Sequence, residues 1–375
     1  MTGVRAVKHR GVAGSLLPGL LILIIGLQSC AAIKWLALAK THEKVWNNTK
    51  LCQTLKRDAG LTKQQVRMCK QNLELMGIVA GATREAVLTC QSLFADRRWN
   101  CSSITYAPNF LADLTGGSRE QAFVYAISSA AITHAVSRAC SIGATTKCGC
   151  GRLPSEPPPG DFKWGGCGDD LRFGLAYADL FAAPGGKGKR RSKRHLVNSH
   201  NNAAGRKLIS DSLQTACKCH GVSGSCSIKT CWKALPDLKE LGMMLQKKYA
   251  IAVEVDLKEI FLQVNKKRMR GSRERRLVAV HRPDKRKDFQ AEELIYYTKS
   301  PDYCLPDTTL GSLGTRGREC NKDSTSSGGC RSMCCGRGYT SHVMEIKQRC
   351  DCKYYWCCYV KCKTCTTKVE INRCR

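Results

Sequence analysis

The sequence predicts an α+β protein: a helical amino-terminal domain followed by a small disulfide-rich β-hairpin domain. Two observations carry this. With Cys30 set aside, twelve cysteines lie between Cys52 and Cys231, none before Cys304, and twelve more in the last 72 residues, so each half can close its own bridges. The pattern also changes, from apolar residues at helical spacing in the first half to short β-prone pieces between glycine-rich connectors in the second.

The chain opens with Arg5, Lys8 and Arg10, an apolar run from Leu16 to Leu27, and a small-residue exit at Cys30-Ala31-Ala32. This is the layout of a signal peptide over residues 1–32. The run is broken by Pro18 and Gly19 and falls short of the roughly twenty residues a membrane-spanning helix needs. Its removal leaves an even twenty-four of the twenty-five cysteines, in an oxidising lumen where disulfides persist, with the mature chain starting near Ile33. The formal charge is +31. In a secreted chain that excess points to sulfated glycans and acidic membrane or matrix surfaces rather than to nucleic acid.

Residues 33–264 read as the helical domain. Ser118 with Gln121 forms a capping box, and Phe123, Ile127, Ala130 or Ala131, and Ala135 then recur on one face of small residues. His134 within that face is expected to be packed and satisfied. Asp169 and Asp170 start a helix through Leu171, Leu175 and Ala178. Another runs from about Asn202 towards Cys217, and Pro236 suits a first helical position ahead of Leu238, Leu241 and Leu245. Ile251 to Val255 alternates as a strand would.

The stretch 265–288 is dense in Lys and Arg with few apolar residues, and reads as an exposed linker or long loop. A second basic run, Lys187 to Arg194, ends in Arg191-Ser192-Lys193-Arg194, the dibasic form that secretory convertases cut. In the hairpin domain, residues 289–375, the β-prone pieces are His342 to Lys347, Tyr354 to Val360 and Thr366 to Ile371. They are too short to bury a large core, so bridges worth about 2–4 kcal/mol each must replace it, and ribbons stapled crosswise are expected. No metal is expected. Cys148-Gly149-Cys150 and Cys217-Lys218-Cys219-His220 lack zinc-knuckle spacing, and Cys362-Lys363-Thr364-Cys365 has no second knuckle.

The most singular stretch is Cys217 to Trp232, C-K-C-H-G-V-S-G-S-C-S-I-K-T-C-W. Cys217 with Cys231 can close an outer loop and Cys219 with Cys226 an inner one, giving a narrow hairpin whose tip holds Val222, Ser223 and Gly224. A serine there is exposed by construction. Three readings follow: a polar turn, an attachment point, or the nucleophile of a secreted serine hydrolase. The last is weakened because G-x-S-x-G fails at Ser225 and no strand leads into the serine. A matrix protein held by charge alone is a further alternative.

At these residues the chain resembles the Wnt family of secreted, lipid-modified signals. The resemblance extends through Arg98-Trp99-Asn100-Cys101-Ser102, Arg138-Ala139-Cys140, Trp164-Gly165-Gly166-Cys167, Cys334-Cys335-Gly336-Arg337-Gly338-Tyr339 and Cys352 to Cys362, covering nearly all of the mature chain. Ile33-Lys34-Trp35-Leu36-Ala37-Leu38 and Ser300-Pro301-Asp302-Tyr303-Cys304 resemble its eleventh subfamily.

The resemblance implies a thumb and an index finger gripping the Frizzled cysteine-rich domain. The thumb, hairpin 217–231, would carry palmitoleate on Ser223, attached by Porcupine, with no other cofactor and no catalytic activity. The finger would present Tyr354, Trp356, Cys357, Cys358 and Val360. Wntless as carrier, a co-receptor of the LRP or receptor-tyrosine-kinase type, and heparan sulfate complete the implied partners. The chain would be extracellular and matrix- or membrane-associated through its lipid. The implied bridges are Cys90 with Cys101, Cys140 with Cys148, Cys150 with Cys167, Cys217 with Cys231 and Cys219 with Cys226. In the second half they are Cys304 with Cys335, Cys320 with Cys330, Cys334 with Cys374, Cys350 with Cys365, Cys352 with Cys362, and Cys357 with Cys358. Cys52 and Cys69 then pair by remainder. Asn47 and Asn100 head two N-glycosylation sequons.

Overall fold

The computed structural model describes residues 33–41, 46–183, 192–262, 272–280 and 288–375. The expected signal peptide, the basic run as far as Arg191, and parts of the expected linker lie outside them. Three helices begin the body: α1 (Lys50–Asp58), α2 (Lys63–Gln71) and α3 (Leu73–Phe94). A full capping box starts α2, the Thr62 hydroxyl accepting from Gln65 N–H while the Gln65 side chain accepts from Thr62 N–H.

The centre is α4 (Arg119–Ser141), buried on nearly every side and packed by α3, α5 (Leu171–Ala182), α6 (Lys193–Asp211) and α7 (Leu238–Ala250). The sequence suggested one buried face. The rest closes because Ser128 and Thr133 return their hydroxyls to Val124 and Ser129 carbonyls, so these polar residues enter the core satisfied. Close approach is set by two glycines: a Cβ at Gly205 would overlap the Ala126 carbonyl, and one at Gly174 the Ser137 hydroxyl. His134 is packed as expected, its Nε2 3.0 Å from Pro236 O.

Some boundaries differ from the sequence reading. The Ser118 hydroxyl accepts from Gln121 N–H, but the Gln121 side chain accepts from Gly117 N–H, one residue earlier than a capping box requires. Helix α6 starts at a Ser192 cap and stops at Asp211, because the chain must extend to enter a hairpin. The first helical residue of α7 is Leu238, behind an Asp237 cap, so Pro236 lies just outside the helix rather than at its first position.

The 265–288 stretch is not all linker. Strand β4 (Val253–Leu262) pairs antiparallel with β5 (Ser272–Ala279) inside it, and parallel with β6 (Ile295–Tyr296). Backbone ladders tolerate charged side chains, and this strand places buried Leu277 in a cluster with Val197, Val253, Val255 and Ile295, with half-buried Ala279 packed against it.

Beyond Cys304 there is little core. A ribbon of β7 (Tyr339–Tyr355) and β8 (Tyr359–Cys374) dominates, its residues nearly all exposed. The β-prone piece Tyr354 to Val360 is not a separate strand: Tyr354 and Tyr355 end β7, 356–358 form the turn, and Tyr359 and Val360 begin β8. The region is tied to the body by Arg318, which donates to the carbonyls of Ala95, Arg97 and Arg98 at the end of α3.

Candidate functional site

The thumb begins as β2 (Gln214–Cys219) and β3 (Lys229–Ala234), paired so that Cys217 faces Cys231. Its base is built into the body. The short strand β1 (Lys163–Trp164) pairs parallel with β3, and Gly165 and Gly166 let the chain pass beneath Thr230 and the Trp232 ring. Asp169 then accepts from Leu235 N–H (2.8 Å) and from the Ser141 hydroxyl (2.6 Å), fixing the hairpin to the end of α4.

Towards the tip the core disappears and sulfur replaces it. Cys217–Cys231 and Cys219–Cys226 are both bridged. The turn closes on itself: Gly221 N–H donates to Ser225 O (2.8 Å), Gly224 N–H to Gly221 O (2.9 Å) and Ser225 N–H to Val222 O (3.1 Å). Ser223 takes left-handed backbone angles (φ 54°, ψ 28°), which cost a non-glycine residue of order 1 kcal/mol and are held here by the surrounding bonds. Val222 is 89 % exposed, and a Cβ on Gly224 would meet nothing within 4 Å. The Ser223 hydroxyl is exposed and makes no hydrogen bond among the described residues. It is an exposed hydroxyl to which no histidine or carboxylate among the described residues hydrogen-bonds.

The finger tip offers the opposite chemistry. Trp356 is 92 % exposed and Tyr354 70 %, with Val360 directly across from Tyr354. Behind them the Tyr355 and Tyr359 rings stack at 5.1 Å, and bridges Cys350–Cys365 and Cys352–Cys362 staple the stem. Eleven bridges join the cysteine pairs named above. Cys357 with Cys358 is the one expected pair the structure leaves unjoined, their sulfurs 2.7 Å apart. Both residues have positive φ, backbone angles that bring the neighbouring sulfurs to one side of the tip. The contact with Cys357 raises the Cys358 pKa, disfavouring its thiolate.

The remaining expected positions are dispersed. Asn47 is exposed; Asn100 is half-buried, its Oδ1 accepting from Ser102 N–H at 3.3 Å. Of the convertase sequence, Lys193 and Arg194 form the first turn of α6 and Lys193 pairs with Asp256 at 2.7 Å, a helical arrangement rather than an extended one. The cluster Cys320, Cys330 and Cys334 brings three sulfurs together, and all three are in disulfides. Sequence reasoning missed Ile228, a second exposed apolar residue beside the thumb tip. Its placement between two cysteines of a hairpin with no interior was the available signal.

Comparison with known proteins places this geometry. The sequence profile of the Wnt family matches residues 57–375. The chain is 46 % identical over 360 residues to Protein Wnt-11b-2 of Xenopus tropicalis, covering 95 % of this chain and 98 % of that one. It is 44 % identical over 363 residues to Protein Wnt-11 of Coturnix japonica, covering 96 % and 98 %. Among solved structures, human WLS in complex with WNT8A matches with a TM-score of 0.56 and 32 % identity, over 82 % of this chain and 96 % of the other.

Proposed function

Because the chain belongs to the Wnt family and is a secreted Wnt signalling ligand, we propose that it acts through a palmitoleoyl chain on Ser223 inserted into the Frizzled cysteine-rich domain. The carrying observation is the exposed, unbonded Ser223 hydroxyl on a doubly stapled tip. An acyl-transferase such as Porcupine needs an accessible hydroxyl on a backbone it can grip. Burying a sixteen-carbon chain at about 0.8 kcal/mol per methylene supplies on the order of 10 kcal/mol before ordering costs. The same geometry argues against a hydrolase, since a serine nucleophile requires an adjacent base.

The finger makes the second contact in this reading. Trp356, flanked by Tyr354 and Val360, is an aromatic anchor with no interior of its own to fill, the type that dominates interface energetics. Before receptor binding the acyl chain needs shelter, and the likeness to a Wnt in complex with WLS supports Wntless as its carrier. No helix among the described residues is long and apolar enough to cross a membrane, and one acyl chain gives only marginal membrane attachment. The basic surface supplies further retention through heparan sulfate, and Asn47 and Asn100 carry glycans. A co-receptor of the LRP or receptor-tyrosine-kinase type completes the complex.

The test is binding of the secreted chain to an isolated Frizzled cysteine-rich domain. Ser223→Ala, recovered from cell lysate because loss of the acyl chain also removes what its carrier holds, is expected to abolish binding while the protein stays folded. Undiminished binding by that variant, with loss only when basic segments are removed, would favour a charge-held matrix protein instead.

A further inference from the structure

At the root of the thumb, where the end of α4 meets β3 and the 166–169 segment, lies a cavity of about 310 Å³, at the lower edge of the range of small-molecule sites. Trp232 and Ala234 form its wall on β3, and Ile142, 71 % exposed, forms its wall at the end of α4. The polar groups that line it are engaged or turned to water. Ser141 donates to Asp169, which also accepts from Leu235 N–H, and Arg138 is exposed. An arginine stem can lie along an apolar chain while its head stays solvated. What the cavity offers a ligand is therefore aromatic and aliphatic surface.

This cavity is the lower end of a track. Side chains of a strand alternate between its two faces, so Ile228, Thr230, Trp232 and Ala234 share one face of β3, and His220 N–H, donating to Ile228 O (2.7 Å), carries the pairing out to the first of them. Across the ladder Ala216 lies opposite Trp232. Trp232 is half-buried, while Ile228 beside the tip is 65 % exposed. At Gly165 and Gly166 the neighbouring chain brings no side chain over Thr230 and Trp232. From Ile228 to Trp232 the track runs about 13 Å. A sixteen-carbon chain spans one leaflet of a bilayer's hydrocarbon core, roughly 15 Å. Chemistry, length and starting point therefore agree: a chain esterified at Ser223 begins at the tip, passes Ile228 and ends against Trp232 and Ile142.

We propose that this track is an intramolecular binding site for the acyl chain: the free ligand lays its own palmitoleoyl group along β3 into the thumb-root cavity, and carrier, receptor or membrane withdraws it. The proposal rests on the acylation of Ser223 proposed above and adds where the chain lies when no partner holds it. The driving force is apolar surface removed from water on both the chain and the track.

The experiment is photo-crosslinking within the full secreted chain. Producing cells are fed a monounsaturated sixteen-carbon fatty acid with a terminal diazirine, and the chain secreted into detergent-free medium is irradiated and its peptides mapped by mass. The expected result is a cross-link within one chain, from the Ser223 acyl group to the peptide spanning 138–142 or to that containing Trp232. A second arm measures partition into phosphatidylcholine vesicles. Ile142→Asp and Ile228→Asp, both at exposed positions, uncover the acyl chain and should each raise partition about tenfold, as losing roughly two methylenes of cover would. After hydrolysis of the ester the same substitutions should not raise it. Acylated chain whose label reacts only with solvent, with other segments or with a second chain would overturn the proposal, as would variants that partition no better than wild type. Ser223 recovered without any acyl group would overturn the acylation reading itself, and the proposal with it.

Discussion

Thumb and finger are both two-stranded, both braced by paired disulfides and both almost without core, yet they differ at root and tip. The thumb is rooted in the body through Asp169, Gly165, Gly166 and Trp232, and its tip closes by backbone hydrogen bonds around a polar serine. The finger is a long ribbon whose tip is aromatic and whose terminal cysteines stay unbridged. Rigidity at the root suits a site that an enzyme must modify and a receptor groove must then accept in one orientation. An exposed indole needs less placement, since its energy comes from area rather than from direction.

That contrast can be broken most forcefully at Ser223. Ser223→Ala should reduce binding to the receptor domain by more than a thousandfold, about 4 kcal/mol or more, with thermal stability unchanged because the hydroxyl bonds to nothing among the described residues. Binding and melting measured on the same preparation check both halves. Next, replacing Cys219 and Cys226 together with alanine should free the thumb tip, forfeiting about 2–4 kcal/mol of loop restriction and lowering the fraction of chains acylated, read by mass spectrometry. The equivalent change at Cys352 and Cys362 should leave acylation untouched. Trp356→Ala should cost about 2 kcal/mol of receptor affinity by calorimetry and nothing in stability, since the ring is 92 % exposed.

The weakest expected effect concerns the body, whose buried groups titrate where the two tips offer none. Burial pushes the Asp113 carboxyl up to about 6, despite hydrogen bonds from Ser103 and Trp99. A carboxyl raised above its unfolded value destabilises the fold at neutral pH and gives that cost back as pH falls through 6 towards 4. Buried His134 and His200, lowered by desolvation, pull the other way, losing stability as pH drops below about 6.5. The Asp113 contribution is therefore isolated by difference: wild type minus Asp113→Asn should gain about 1 kcal/mol between pH 7.5 and 5.5, measured by denaturant unfolding.

What could be read from the sequence was whatever local spacing dictates. The thumb was legible because four cysteines around a glycine-rich tip permit a compact nested pairing, and helices at Ser118 and Asp170 because cap residues precede their apolar runs. Strand β5 was not, since its stability comes from backbone pairing with β4 while its side chains read as a charged linker. The full burial of α4 was hidden by its serines and threonines, whose hydroxyls are satisfied within the helix. The docking of the cysteine-rich region could not be foreseen, because Arg318 and the carbonyls of Ala95, Arg97 and Arg98 that it reaches lie more than two hundred residues apart in the chain.

The most direct test of the account is the mass of the proteolytic peptide containing Ser223 from secreted wild-type chain. The account predicts that peptide carrying one monounsaturated sixteen-carbon acyl group. Recovery of it wholly unmodified from protein that still engages the receptor would contradict the account.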